Sequence, residues 1–139
     1  MEITQNRNID IGIHLIFGLP YETKEQMLET VKFINTFNYK IVKFHNLHIT
    51  TDTLLEKIYN DRKGSDREIE ILSIENYTEI LTEALELTKK DVVIGRLMGD
   101  GPAEYLLEPK WSLDKNKSLN YMYKHFEKNN LIQGSKYNI

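Results

Sequence analysis

Two strand-like segments separated by a helix-like one constrain the fold of this chain more than any other feature. The first covers residues 9–18, where bulky apolar side chains alternate with small or polar ones. Its bulky face comprises Ile13, Leu15 and Phe17. The second covers residues 41–49 and is also rich in β-branched and aromatic residues. Because a helix lies between them, the two strands should be parallel and joined by a right-handed crossover.

The segment between these strands carries the start signals of a helix. Thr23 and Gln26 have the spacing of a capping box, in which each residue bonds the backbone of the other. Apolar residues then recur at helical spacing. This stripe comprises Met27, Val31 and Ile34. The pattern predicts a helix from Thr23 to about residue 37.

The rest of the sequence continues to alternate between helical and strand-like patterns. The predicted elements are a short helix over residues 54–60, a charged loop over 61–70, a long amphipathic helix capped by Ser73, a strand over 91–98, a short helix over 103–107 and a helix over 115–129. We expect the tail after these elements to be irregular. The pattern as a whole predicts a mixed α/β fold.

The asymmetry of the first strand suits a barrel, with helices outside the apolar face and a ligand space on the other side. Three such strands form only part of a TIM barrel, and two of them would have unpaired edges. We therefore predict a partial barrel with parallel strands and C-terminal helices. Residues 1–101 would form the βα units and residues 102–139 a helical extension. A missing N-terminal half, or a second copy of the chain, would complete it.

Composition excludes several classes of site. The chain has no cysteine, which excludes disulfides, thiolate zinc sites and cysteine-ligated iron–sulfur clusters within it. Its formal net charge of −3 gives no broad attraction to nucleic acid or anionic lipid. No apolar run is long enough to cross a bilayer, and no signal-peptide pattern is present. We expect a cytoplasmic protein without a membrane partner.

Several short motifs occur in an order and at a spacing that resemble a known enzyme family. They are GIHLIFGLPYET at 12–23, HNLH at 45–48, RLMGDGP at 96–102, PKWSLDK at 109–115 and IQGSKY at 132–137. Along nearly its whole length the chain is similar to the C-terminal part of radical S-adenosylmethionine (SAM) proteins, related to oxygen-independent coproporphyrinogen oxidases. Such proteins carry a C-x-x-x-C-x-x-C motif for a 4Fe–4S cluster nearer the N-terminus, and this sequence contains no such motif.

The resemblance implies a radical SAM-type half barrel and a role as an enzyme fragment. The intact parent would bind SAM and a 4Fe–4S cluster, whereas this chain alone would bind no cofactor and would be inactive. It would contribute part of the SAM pocket and of the wall facing a small-molecule or tRNA substrate. An alternative is a catalytically inactive α/β binding or scaffold module that self-associates. A further alternative is an unrelated half barrel that binds a phosphorylated metabolite at the strand ends.

The resemblance assigns SAM contacts to His14, Gly18 and Glu22. His14 stands where relatives have an aspartate that contacts the SAM ribose, and Gly18 would let the backbone approach SAM closely. Each residue also has a structural explanation. His14 could be a core histidine that hydrogen-bonds the backbone, and Gly18 could serve a tight turn. Glu22 could place a favourable charge at the helix N-terminus. Tyr21 replaces the usual glycine, at a cost of about 1 kcal/mol if its φ is positive.

Further residues are candidates for the substrate side of the site. His45 and His48 point to opposite faces of a strand, so we predict no metal site from them. Each could contact substrate or transfer a proton, or simply pack. Arg96 could pair with a substrate carboxylate or phosphate, or form an ion pair with Asp100.

Overall fold

The computed structural model describes residues 7–138 and contains a three-stranded parallel sheet with helices packed on one face. In chain order the elements are β1 (Gly12–Phe17), α1 (Lys24–Ile34), β2 (Ile41–Asn46), β3 (Ile49–Thr50), α2 (Leu54–Arg62), α3 (Ile74–Leu87), β4 (Val93–Arg96), β5 (Leu106–Glu108), a 3₁₀ helix (Lys110–Leu113) and α4 (Lys115–Lys128). The sheet order is β1-β2-β4, with both pairings parallel. The predicted mixed α/β fold with parallel strands is confirmed.

Helix α1 forms where its local signals predict it. The Thr23 backbone N–H donates to Gln26 Oε1 at 2.8 Å, and the Gln26 N–H donates to Thr23 Oγ1 at 3.3 Å, which completes the capping box. The predicted apolar stripe is buried against the sheet and α3. The regular helix ends at Ile34, earlier than predicted, and turn hydrogen bonds extend to Phe37.

The core lies between the apolar face of the sheet and helices α1 and α3. Phe17 and Phe44 are fully buried, with ring centroids 5.5 Å apart. Tyr77 of α3 packs 6.4 Å from Phe17, and its hydroxyl donates to the Leu97 carbonyl at 2.7 Å. Burial raises the pKa of the Tyr77 hydroxyl, since the ionised form would lose its hydration. These contacts join α3 to the end of β1 and to the residue that follows β4.

The opposite face of the sheet is not covered by any helix within the described range. Gly12, His14 and Ile16 are exposed on β1, with Ile16 at 49%, and Val93 on β4 is 59% exposed. This agrees with the predicted asymmetry of the first strand. The edges of β1 and β4 are also unpaired within residues 7–138. No helix in this part of the chain has the length and apolar character needed to cross a membrane.

The predicted short helix over residues 103–107 is wrong. Residues 106–108 instead form β5, which pairs antiparallel with β3 through the partners Ile49 and Glu108. Glu108 precedes Pro109, and the proline ring disfavours helical backbone at the preceding residue. Pairing also buries Leu106. The segment predicted as a helical extension therefore begins with a strand.

Several predicted boundaries also differ from the structure. The strand predicted over residues 41–49 divides into β2 and β3, because Leu47 and His48 interrupt it. The first and third parallel strands are shorter than predicted, whereas α2 extends into the predicted charged loop. Helix α3 begins after Ser73 as predicted, with Ser73 Oγ accepting the Asn76 N–H at 3.1 Å.

Candidate functional site

The uncovered face of the parallel sheet brings together most of the chemically reactive side chains that the sequence singles out. The strand registers place His14 opposite Lys43, and Lys43 opposite Arg96, so one row of side chains crosses all three strands. His45 lies on the same face, opposite Ile16. The open face of the sheet comprises His14, Ile16, Lys43, His45 and Arg96.

His14 and His45 form a pair on the open face. His14 Nδ1 lies 3.2 Å from His45 Nε2, and the two rings are stacked with centroids 5.1 Å apart. One nitrogen must donate and the other accept, so the accepting ring is neutral. Burial lowers the pKa of His45, and the nearby charge of Arg96 lowers it further. This arrangement suits proton transfer or a hydrogen bond to a ligand hydroxyl.

His48 lies in the loop after β2 and packs against the loop that follows β4. A Cβ atom at Gly99 would lie 3.2 Å from His48 Nε2, and one at Gly101 would lie 3.2 Å from Nδ1. Any larger residue at these two positions would crowd the imidazole. The Nε2 atom is buried and has no hydrogen-bond partner within residues 7–138. Such an atom requires an explanation beyond packing, such as a bound water or ligand.

Asn46 fixes the position of this loop, and sequence analysis missed it. Its amide nitrogen donates to Ser112 Oγ at 2.8 Å, and its amide oxygen accepts the Gly99 N–H at 3.0 Å. Asn46 is buried on the helix-facing side of β2, two residues after Phe44. A polar residue at a position that the strand period assigns to the core was the available signal.

Arg96 and Asp100 form an ion pair, one of the two arrangements that the sequence left open. Arg96 Nη1 lies 2.6 Å from Asp100 Oδ1, and Lys115 Nζ lies 2.6 Å from the other carboxylate oxygen. The hydrogen bond from Lys115, together with the charge of Arg96, lowers the pKa of Asp100. Exposed ion pairs of this kind contribute less than about 1 kcal/mol each. A substrate role for Arg96 or Asp100 stays a prediction.

Gly18 and Glu22 lie together at the turn between β1 and α1, apart from His14. Gly18 has a φ of 84°, and a Cβ there would lie 2.9 Å from Leu72 Cδ1. Glu22 Oε2 accepts the Leu19 N–H at 3.2 Å. Both line a cavity of about 470 Å³ between the first turns of α1 and α3. The structure thus gives both residues local roles, and their contacts with SAM stay a prediction.

Tyr21 adopts the left-handed conformation that a glycine would take more easily, with a φ of 67°. Its hydroxyl donates to the Arg67 carbonyl at 2.8 Å and accepts a hydrogen bond from the Arg62 guanidinium. The guanidinium also lies over the tyrosine ring, 5.7 Å from its centroid. These contacts tie the turn after β1 to the segment after α2.

Metal ligands are not grouped in the part of the chain that the structure describes. Within residues 7–138, no cluster of three or more histidine, aspartate or glutamate side chains is placed to hold an ion. The sequence contains no cysteine. An iron–sulfur cluster held by thiolates therefore requires ligands from another polypeptide segment.

Comparison with known proteins identifies the family. The model of the Radical_SAM C-terminal domain matches residues 39–128, which include β2 to β5 and the whole of α4. The chain belongs to this radical SAM family. The three-stranded parallel sheet and the C-terminal helices are consistent with this membership. Relation to the coproporphyrinogen oxidases in particular stays a prediction.

Three relatives of this radical SAM C-terminal domain protein illustrate the similarity. The uncharacterised protein YtqA of Bacillus subtilis is 31% identical over 130 residues, and an uncharacterised protein of Methanocaldococcus jannaschii is 30% identical over 132 residues. Each alignment covers 94% of this chain and 39% of the relative. The protein YhcC of Escherichia coli is 24% identical over 110 residues, covering 79% of this chain and 34% of YhcC. The chain thus spans about two fifths of the relatives' length.

We expect the open-face and loop histidines to make the stability of the domain depend on pH. Burial lowers the folded-state pKa of both His45 and His48 below 6.5. The unfolded chain therefore takes up protons first as pH falls. The resulting stabilisation is fully present above pH 6.5 and is lost as pH falls through the two folded-state pKa values. Urea unfolding at a series of pH values should show this decrease. His48→Gln should flatten it, and an unchanged slope would contradict the assignment.

Proposed function

We propose that this chain is the C-terminal part of a radical SAM enzyme and that its open face lines the cavity for SAM and substrate. The observation that carries the proposal is the His14–His45 pair on the helix-free side of a parallel sheet. In barrels of parallel strands, active sites lie at the C-terminal ends of the strands. Residues from the rest of the protein would supply the opposite wall.

The residues present fit SAM better than they fit an iron–sulfur cluster. The imidazoles of His14 and His45 offer both donor and acceptor nitrogens on the open face, which suits the hydroxyl groups of a ribose. The absence of cysteine assigns the cluster ligands to another segment. When bound, the cluster and SAM would supply the radical chemistry, which is a property of the cofactors.

The chain's own contribution would then be positioning. His14 and His45 would orient the nucleoside, while Asn46 and the glycines around Asp100 hold the loop that borders the strand ends. The buried Nε2 of His48 would face a ligand or ordered water at this edge. The substrate of the intact enzyme would be a small molecule or a tRNA.

The decisive experiment joins the chain to a cysteine motif of the kind that the proposed parent enzyme would carry. A gene extended at its 5′ end to include a C-x-x-x-C-x-x-C segment would be expressed anaerobically and reconstituted with iron and sulfide. We expect cleavage of SAM to 5′-deoxyadenosine. His14→Ala should weaken SAM binding about tenfold, which corresponds to one good hydrogen bond. His125→Ala, which changes a histidine on α4, serves as the matched control.

Two results would contradict the proposal. Micromolar binding of SAM by the isolated chain, measured by calorimetry, would mean that no other segment is needed to form the pocket. An equal loss of SAM binding in His14→Ala and His125→Ala would mean that the open face does not line the cavity that binds SAM. The alternative of a self-associating module is favoured by the unpaired edges of β1 and β4. A stable dimer in ultracentrifugation, with no upstream cysteine motif, would support that alternative.

A further inference from the structure

We propose that the open face contains an anion site formed by Lys43, His45 and Arg96, which takes a carboxylate or phosphate group of the ligand. This inference rests on the proposed function and adds the chemical class of group that the face binds. Four observations support it: the pairing of two cations, the space left by a glycine, the absence of acidic residues on the strands, and the geometry of the donors.

The first observation is an unfavourable pairing across two strands. Lys43 of β2 is the register partner of Arg96 of β4, next to a register shift between Val42 and Lys43, so two positive side chains lie on neighbouring strands. Like charges that lie close together repel each other. Asp100 neutralises Arg96 through Nη1 only, and Lys43 has no ion-pair partner within residues 7–138. A bound anion would relieve the repulsion.

Gly95 provides the second observation. A Cβ atom at this position would lie 2.9 Å from Ile41 Cγ2 and 3.1 Å from Lys43 Cγ. Because Gly95 has no side chain, the aliphatic part of Lys43 can lie against β4. This contact holds the lysine on the side of the sheet that also carries Arg96.

The third observation is the charge of the strands themselves. The sequences of β1, β2 and β4 are GIHLIF, IVKFHN and VIGR, which contain no aspartate or glutamate. Lys115 adds a further cation next to Asp100. The region is thus positive although the whole chain has a net charge of −3. A local potential of this sign attracts anionic ligands.

The donors also match the geometry of an oxyanion. The guanidinium of Arg96 retains N–H groups beyond the one that Asp100 accepts, and a guanidinium binds carboxylate or phosphate through two parallel hydrogen bonds. Lys43 adds a point charge, and the ring of His45 adds one more polar contact. The anionic group would belong either to the substrate or to the methionyl carboxylate of SAM, which have this chemistry in common.

A nuclear magnetic resonance titration of the 139-residue chain with inorganic phosphate tests the site. At constant ionic strength, we expect saturable shifts confined to Lys43, His45, Arg96 and their strand neighbours. Lys43→Met should weaken phosphate binding about tenfold or more, as expected for loss of a charge-assisted contact. Lys40→Met is the matched control, because Lys40 is an exposed lysine immediately before β2. The Lys43→Met variant should also melt at a higher temperature than the wild-type chain.

A competing titration separates the two sources of the anionic group. In the extended protein that carries the cysteine motif, displacement of phosphate by excess SAM would assign the site to the SAM carboxylate, whereas phosphate that stays bound would assign it to the substrate. Shifts that rise linearly without saturation, or equal weakening by Lys40→Met and Lys43→Met, would overturn the proposal. Because the titration needs no cluster, loss of phosphate binding and loss of SAM cleavage are separate results.

Discussion

Replacing Tyr77 with alanine is expected to lower the free energy of unfolding by about 3–5 kcal/mol, as for other large aromatic residues in a protein core. The Tyr77 side chain is fully buried and contacts the rings of Phe17 and Trp111, the latter with centroids 5.4 Å apart. Its hydroxyl also satisfies the Leu97 carbonyl just beyond β4. Truncation would therefore open a cavity and leave a carbonyl without its partner.

Urea unfolding of matched variants separates these two contributions. Tyr77→Phe keeps the packing and removes only the hydrogen bond, so we expect a loss of about 1 kcal/mol. Tyr105→Ala is the control for removing a tyrosine that is half exposed, and it should cost less than about 1 kcal/mol. Similar losses for Tyr77→Ala and Tyr105→Ala would contradict the central position of Tyr77 in the core.

Replacing Asn46 with alanine should have the second largest effect, and it acts on the candidate site as well as on stability. The substitution leaves the Gly99 N–H and the Ser112 hydroxyl without their partner, and each buried unsatisfied group costs about 1–3 kcal/mol. The loop after β4 would also lose its attachment to β2. We therefore expect the environment of His48, which packs against that loop, to change.

A double-mutant cycle tests this role. Ser112→Ala removes one of the two hydrogen bonds, so its cost should be smaller than that of Asn46→Ala and should not add to it fully. The imidazole resonances of His48 should shift in Asn46→Ala, whereas Thr36→Ala, which removes an exposed hydroxyl at the end of α1, should leave them unchanged. Additive costs with no shift at His48 would show that Asn46 does not hold the loop.

The helices α1 and α3 could be predicted from the sequence because their signals are local. The capping box of Thr23 and Gln26 and the cap of Ser73 lie within one turn of the helices they start. The predicted apolar stripes follow directly from helical spacing. Tyr123 shows the limit of this reasoning, because it lies three residues before the buried Phe126 on α4, the spacing of one helix face, but its side chain is 57% exposed.

Features that depend on distant segments could not be predicted in this way. Strand β5 forms because it pairs with β3, and no local pattern around residues 106–108 specifies that partner. The His14–His45 contact depends on the register between β1 and β2, which a parallel pairing alone leaves undetermined. Asn46 and Ser112 lie 66 positions apart, so even where the strand period marks Asn46 as a polar residue at a core position, it does not identify the partner.

The one-sided packing of the sheet separates the residues that fold this chain from those that face outward. Leu15, Phe17, Val42 and Phe44 hold the helices, while the alternate residues of the same strands touch almost nothing in the core. A descendant protein could therefore exchange His14, Lys43 or His45 for other side chains at little cost to folding. Such a scaffold can acquire a new ligand preference by single replacements, without any rebuilding of its interior.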